Sequence, residues 1–229
     1  MTPTVDDFQA LARSSPWRWT TLHVRHRATL VEDGVEAWVR RPGELVVRQA
    51  DGEVHRVHQQ PGAGRGYLSS DPDFVPPEVR VPQDVAPTYR PDGLVAARPD
   101  DWAIEYDDPM WVNYRWVAAL DPVELSHHVA VDDLRVDTVG GRLAWRASVR
   151  ALPGYDPRCG GTCCELIWSD AGRLCEVEDP AEAYHPPGYD YPDHYAVALD
   201  VQTGIVVRCL PVDGDPRSPW LENTILDVG

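Results

Sequence analysis

Between residues 17 and 58 the chain reads as four short runs separated by turn chemistry, and this pattern limits the fold more than any other feature. Residues 17–30 are rich in Trp, Thr, Val and Leu. Glu32-Asp33-Gly34 reads as a turn into residues 35–41, where Val35, Ala37 and Val39 alternate with Glu36, Trp38 and Arg40. Arg41-Pro42-Gly43 turns the chain into 44–50, and Asp51-Gly52 turns it into 53–58. Side chains of a strand alternate between two faces, and Asp-Gly supplies the positive φ that tight hairpins need. The spacing therefore predicts four antiparallel strands in a meander.

The flanking segments add helices. Thr4 is placed to cap a helix with Asp6 and Asp7 in its first turn, where the helix dipole favours acids. Phe8, Leu11 and Ala12 give that helix one apolar face, and Ser14-Ser15-Pro16 ends it. A second helix is expected from Pro109 to about Leu120, capped by Asp108, with another turn from Val123 to Ser126. Its stripe is Met110, Tyr114 and Val117, flanked by Trp111. Between them, residues 59–99 hold eight prolines and no lasting period, which predicts a long loop. Within it, Gly62-Ala63-Gly64-Arg65-Gly66 lacks the spacing of a phosphate-cradling loop.

From residue 129 onward the chain is strand-rich again. In 142–150, Leu143, Trp145, Ala147 and Val149 are expected on one face, with Arg142, Arg146, Ser148 and Arg150 on the other. Further strands are expected at 164–169, 194–200 and 205–211, the last two joined by Val201-Gln202-Thr203-Gly204. A Cys-bearing loop occupies about 153–192. No repeat of fixed period interrupts this, so residues 1–229 are expected to form a single domain.

Composition excludes several functions. With 21 basic and 37 acidic residues the net charge is −16, a field that repels phosphate, so neither nucleic acid nor an anionic membrane surface is an expected partner. No run approaches the roughly 18 apolar residues of a membrane-spanning helix. The first residues, MTPTVDDFQALARSSPWRW, lack a basic lead and an apolar signal core, which sets the expectation of a cytoplasmic chain. All 21 basic residues are Arg, and with abundant Ala, Val, Pro, Gly and Asp this suggests a GC-rich genome such as an actinobacterium's.

The cysteines are the sharpest chemical feature. Cys159, Cys163 and Cys164 fall in PRCGGTCCE, Cys175 follows eleven residues later, and Cys209 lies on an expected strand. Two glycines inside C-x3-C let thiolates converge, so Cys159, Cys163, Cys164 and Cys175 are candidate ligands of a structural zinc. Adjacent cysteines seldom both reach one ion, and a second CxxC is missing. Reduced, partly buried thiols are the plainer reading, and no cofactor is otherwise expected. His185 and His194 flank a Tyr/Pro-rich segment and could in principle pair with a cysteine nucleophile, with Asp190 or Asp193 as third member. Asp100/Asp101, Asp107/Asp108 and Asp132/Asp133 stand at expected element boundaries, where capping explains them.

The aromatic residues suggest a different site. Most of the nine Trp are expected to pack the core. The alternative is an apolar groove between the sheet and the 109–120 helix, with Trp38, Trp111, Tyr114, Trp145, Tyr189 and Tyr191 as candidate ligand contacts.

An N-terminal meander after a short helix, a helix in the middle, and a late hairpin written Ala198-Leu199-Asp200-Val201-Gln202-Thr203-Gly204-Ile205-Val206-Val207-Arg208 together resemble the lipoprotein-carrier fold of the LolA, LppX and RseB types. The D-x-x-T-G hairpin is the motif that carries the likeness. The segments around Val35–Pro42, Trp111–Leu125 and Pro157–Cys164 also resemble actinobacterial proteins of similar length. The resemblance implies an α+β fold: a curved, mostly antiparallel sheet, open as a half-barrel, with a short N-terminal helix and a helical lid around 109–125. It also implies a concave face able to take an acyl chain or a partner peptide.

Three functions follow from these readings. The first is a non-catalytic binding protein that holds an apolar small molecule or a partner segment. The second is a metal-thiolate protein or Cys-dependent enzyme centred on residues 159–175. The third is an interaction subunit of a larger assembly that uses the 59–99 loop.

Overall fold

In the computed structural model, residues 2–63, 73, 75–158, 164–175, 177, 179, 183 and 186–229 are described. Helix α1 (Val5–Ser14) starts as its sequence dictates. Thr4 Oγ1 accepts from Asp7 N at 3.2 Å while Asp7 Oδ2 accepts from Thr4 N at 2.8 Å, closing a capping box. The meander follows as β1 (Thr21–Ala28), β2 (Val31–Arg40), β3 (Glu44–Gln49) and β4 (Val54–His58). The small strands β5 (Thr88–Tyr89) and β6 (Val95–Ala97) pair with each other. Then come α2 (Tyr114–Leu120), β7 (Val129–Val139), β8 (Arg142–Ala151), the one-turn α3 (Asp170–Arg173), β9 (His194–Asp200), β10 (Val206–Val212) and β11 (Leu221–Val228).

Nine strands form one antiparallel sheet in the order β4-β3-β2-β1-β11-β10-β9-β8-β7. The end strands β4 and β7 do not pair, so the sheet is not closed into a barrel. The last strand joins the two halves by inserting between β10 and β1. Register places Ala147, Val197, Cys209, Leu221 and Ala28 in one transverse row across β8, β9, β10, β11 and β1. Phe8 and Leu11 of α1 bury in the same cluster as this row. Leu22–Val39–Leu45 and Val24–Ala37–Val47 form matching rows on β1–β3, and Trp116, Val117 and Leu120 of α2 share their cluster. At roughly 1.5–3 kcal/mol per fully buried large apolar side chain, these rows are the main source of stability.

Several elements differ from the expectation. Glu32-Asp33-Gly34 is not a turn: β1 and β2 turn at Thr29-Leu30, and Gly34, with φ +77°, lies inside β2. There the pairing slips between His26 and Ala28, so its positive φ is absorbed as a bulge. The second helix begins at Tyr114, not Pro109. Its cap is Asn113, whose side chain accepts from Arg115 N at 3.1 Å. Asp108 is engaged elsewhere, in a buried bidentate pair with Arg41 at 2.8 and 2.7 Å. The 123–126 turn forms as a 3-10 turn.

The 59–99 stretch is not featureless. It makes a 3-10 turn at Pro82–Asp84 and the β5–β6 ribbon, and both are tied to the N-terminal segment. Trp17 Nε1 donates to Pro82 O and Val85 O at 2.8 and 2.9 Å, and Arg13 Nε donates to Val95 O at 2.8 Å. Residues 64–66 of its glycine run lie outside the described residues. In β8, Ala147 and Val149 are buried as expected, but Leu143 at the turn end is exposed. Residues 164–169 carry no strand, and 170–173 add the short helix. Among the described residues no helix is long and apolar enough to cross a membrane.

Candidate functional site

Where α2 starts, beside the β1–β2 turn and the segment leading into β11, a cavity of about 240 Å³ opens between four tryptophans. Trp116 comes from α2, Trp111 from the tight turn just before it, Trp168 from the coil before α3, and Trp220 from the residue before β11. Leu30 and Val31 of the first hairpin form part of its rim. Neighbouring groups hold three of these residues in place. Trp116 Nε1 donates to Pro109 O at 3.1 Å, and Trp220 N donates to Thr29 Oγ1 at 2.8 Å. Trp168 stacks on Tyr189 at 5.6 Å, and the Tyr189 hydroxyl shares a 2.8 Å hydrogen bond with Ser218.

Two polar side chains shape its inner side. His26 on β1 is buried, and its ring meets the Trp116 ring edge-on at 5.0 Å. Asn223 on β11 lies opposite it in register and donates Nδ2 to Val206 O at 2.7 Å. That bond turns Asn223 Oδ1 toward His26, so Nδ1, 2.8 Å away, carries the ring proton and Nε2 presents a lone pair. Burial lowers the imidazole pKa to about 4, and the charge of Arg115 pushes the same way, against the Asn223 hydrogen bond. His26 is therefore neutral at pH 7.

Arg115, the second residue of α2, is 6% exposed and also lines the cavity. Its guanidinium donates to Glu165 O, to Pro219 O at 3.0 Å and to Cys209 Sγ at 3.7 Å, while Nε has no hydrogen-bond partner among the described residues. Among the described residues it makes no ion pair. Behind it, the Glu165 carboxyl is 1% exposed, and neither oxygen has a hydrogen-bond partner among the described residues. Burial first, and the nearby Glu124 as well, raise its pKa to about 7.

Of the six aromatic residues that the sequence offers as ligand contacts, the structure brings one, Trp111, to the cavity. Tyr189 and Tyr191 form a second layer behind Trp168, with their own rings 4.9 Å apart. Trp38 stacks on His23 at 4.5 Å, Tyr114 is exposed, and Trp145 packs against the α1 cluster. Trp116, Trp168, Trp220, His26 and Arg115 carry no local signal that marks them as ligand contacts. Their positions span residues 26–220, and only the β1–β11 pairing brings the ends together.

Of the proposed zinc ligands, Cys159 and Cys163 lie outside the described residues, as does His185. Cys164 is buried and Cys175 exposed, and no cluster of three metal-ligating side chains occurs among the described residues. Burial pushes the Cys209 thiol up to about 11, which leaves it without thiolate character at neutral pH.

No protein-family model matches the chain, and no curated protein matches it. Among solved structures, a chain in the crystal structure of MucB in complex with MucA(peri) is similar, with 13% identity and a TM-score of 0.29. The match covers 96% of this chain and 54% of that one, so the chain spans about half the length of this neighbour.

Proposed function

We propose that the protein is a non-catalytic binding protein that holds an apolar ligand in the four-tryptophan cavity. In this reading the sheet is an open half-barrel, and the start of α2 with Trp111 covers the ligand. One observation carries it: Trp111, Trp116, Trp168 and Trp220, from three stretches far apart in sequence, surround a space of about 240 Å³. Apolar walls with a few placed polar groups are the usual make-up of a ligand pocket. The volume equals about eight waters at about 30 Å³ each, below the roughly 300–1,000 Å³ of drug-sized sites. It suits one ring system or a short chain.

Native mass spectrometry of freshly purified protein, followed by a denaturing run, tests this reading. The expected result is an organic adduct released on denaturation and missing from Trp168→Ala. A bare chain whose tryptophan fluorescence also ignores a panel of small apolar probes would count against it. One zinc per chain, lost in Cys163→Ser, would favour the metal-thiolate function instead.

A further inference from the structure

We propose that the cavity selects a compact organic acid, with its apolar body among the tryptophans and its carboxylate beside Arg115. This deepens, and rests on, the reading of the cavity as a ligand site. The buried arginines of this protein are not treated alike. Arg41, Arg98 and Arg158 have comparably buried side chains, and each holds a carboxylate: Asp108, Asp121, and Asp107 with Asp121. Arg115 is buried as deeply and holds none among the described residues. A buried cation without a counter-charge is costly, because carbonyl dipoles replace only part of its lost hydration. In a chain of net charge −16, where carboxylates outnumber guanidiniums, Arg115 is still held only by carbonyl oxygens and a thiol among the described residues.

Among the described residues, no group lining the cavity compensates that charge; Glu165 lies within its electrostatic reach, but burial outweighs the pull of Arg115 and raises the carboxyl pKa. His26 is neutral and adds no second charge. Arg217 also lines the cavity, but Asp215 grips it with contacts of 2.8 and 2.5 Å, so the pair is neutral as a unit. No acidic side chain among the described residues lines the cavity. Glu165, close behind Arg115, keeps its proton at mildly acid pH. An anion entering the cavity therefore meets one positive charge in an apolar surround, where a charge-assisted hydrogen bond is stronger than at the surface. Such a bond fixes which end of the ligand points inward.

The test is isothermal titration of the full chain at pH 6 with 1-naphthylacetate and with its uncharged isostere 1-naphthylacetamide. The acid is expected to bind on the order of tenfold more tightly or better, as a charge-assisted hydrogen bond implies. In Arg115→Met, checked for folding by its thermal melt, the acid is expected to fall to the affinity of the amide, with the amide little changed. Equal affinities for acid and amide in the unaltered protein overturn the proposal while leaving the ligand site standing. Failure of both probes to bind overturns the proposal and the ligand-site reading together. If Arg115→Met does not fold, the acid-to-amide ratio of the unaltered protein decides alone.

Discussion

Gly204 passes so close to α1 that a Cβ on it would stand 2.8 Å from the carbonyl oxygen of Leu11. This is the glycine of the D-x-x-T-G hairpin, held at φ +76°. Asp200 Oδ1 accepts from Thr203 N and Thr203 Oγ1, both at 2.8 Å, and Arg142 Nε donates to Asp200 Oδ2 at 2.7 Å. Arg18 then reaches from beyond α1 to Val201 O and Gln202 O. The motif is thus a clasp between the N-terminal helix and the β9–β10 hairpin. Gly204→Ala is expected to cost roughly 2 kcal/mol or more, because it adds a backbone clash to the left-handed penalty of about 1–2 kcal/mol. Gly52 supplies the control: its φ is +91°, and a Cβ there would meet open space. Urea unfolding that found Gly204→Ala no worse than Gly52→Ala would sink the close-approach account.

Asp121, just after α2, is fully buried between two arginines. Arg98 Nη1 lies 2.9 Å from its Oδ2, and Arg158 Nη2 donates both to its side chain at 2.5 Å and to its backbone oxygen at 3.0 Å. Burial alone would raise the carboxyl pKa, yet the two guanidiniums hold it below the ordinary value. Asp121→Asn leaves two buried cations short of charge and is expected to cost about 3–5 kcal/mol. Glu44→Gln, which breaks the exposed Arg40–Glu44 contact at 3.9 Å, should cost about 0.5 kcal/mol or less. Denaturant midpoints of the two variants check the contrast, and similar losses would refute it.

What the sequence reveals follows the range of the forces involved. Thr4 with Asp7, Gly52 and the Asp200–Gly204 turn are local devices, and each is readable within five residues. Asp33-Gly34 misleads because the same positive φ serves a turn or a bulge, and the partner strand decides. Asp108 misleads in the same way: Asp-Pro before a helix reads as a cap until Arg41, 67 positions away, claims the carboxylate. The site is harder still. His26 and Asn223 are 197 residues apart, and nothing within either strand announces that the other will lie opposite. Aromatic composition points to a groove, but which aromatic residues line it depends on the β1–β11 pairing.

His26 and Glu165 impose opposite pH dependences on stability, and one substitution separates them. Folding lowers the His26 pKa from 6.5 to about 4. Its contribution is complete above about 6.5 and is lost as pH falls through about 4, where the buried ring takes a proton. Folding raises the Glu165 pKa from 4.5 to about 7. Its contribution is complete below about 4.5 and is lost as pH rises through about 7, where the buried carboxyl ionises. Between about 4.5 and 6.5 the two slopes cancel, so the unaltered protein shows little net dependence from this pair. Glu165→Gln keeps the shape of the protonated carboxyl and removes its titration. The stability of this variant relative to the unaltered protein should therefore rise by about 1.4 kcal/mol per pH unit from about 4.5 to 7. Other titrating groups contribute to both proteins and drop out of the difference. Urea unfolding of both at pH 4.5, 5.5, 6.5 and 7.5 measures it, and a difference that stays constant across that range would show that Glu165 does not hold its proton in the folded protein.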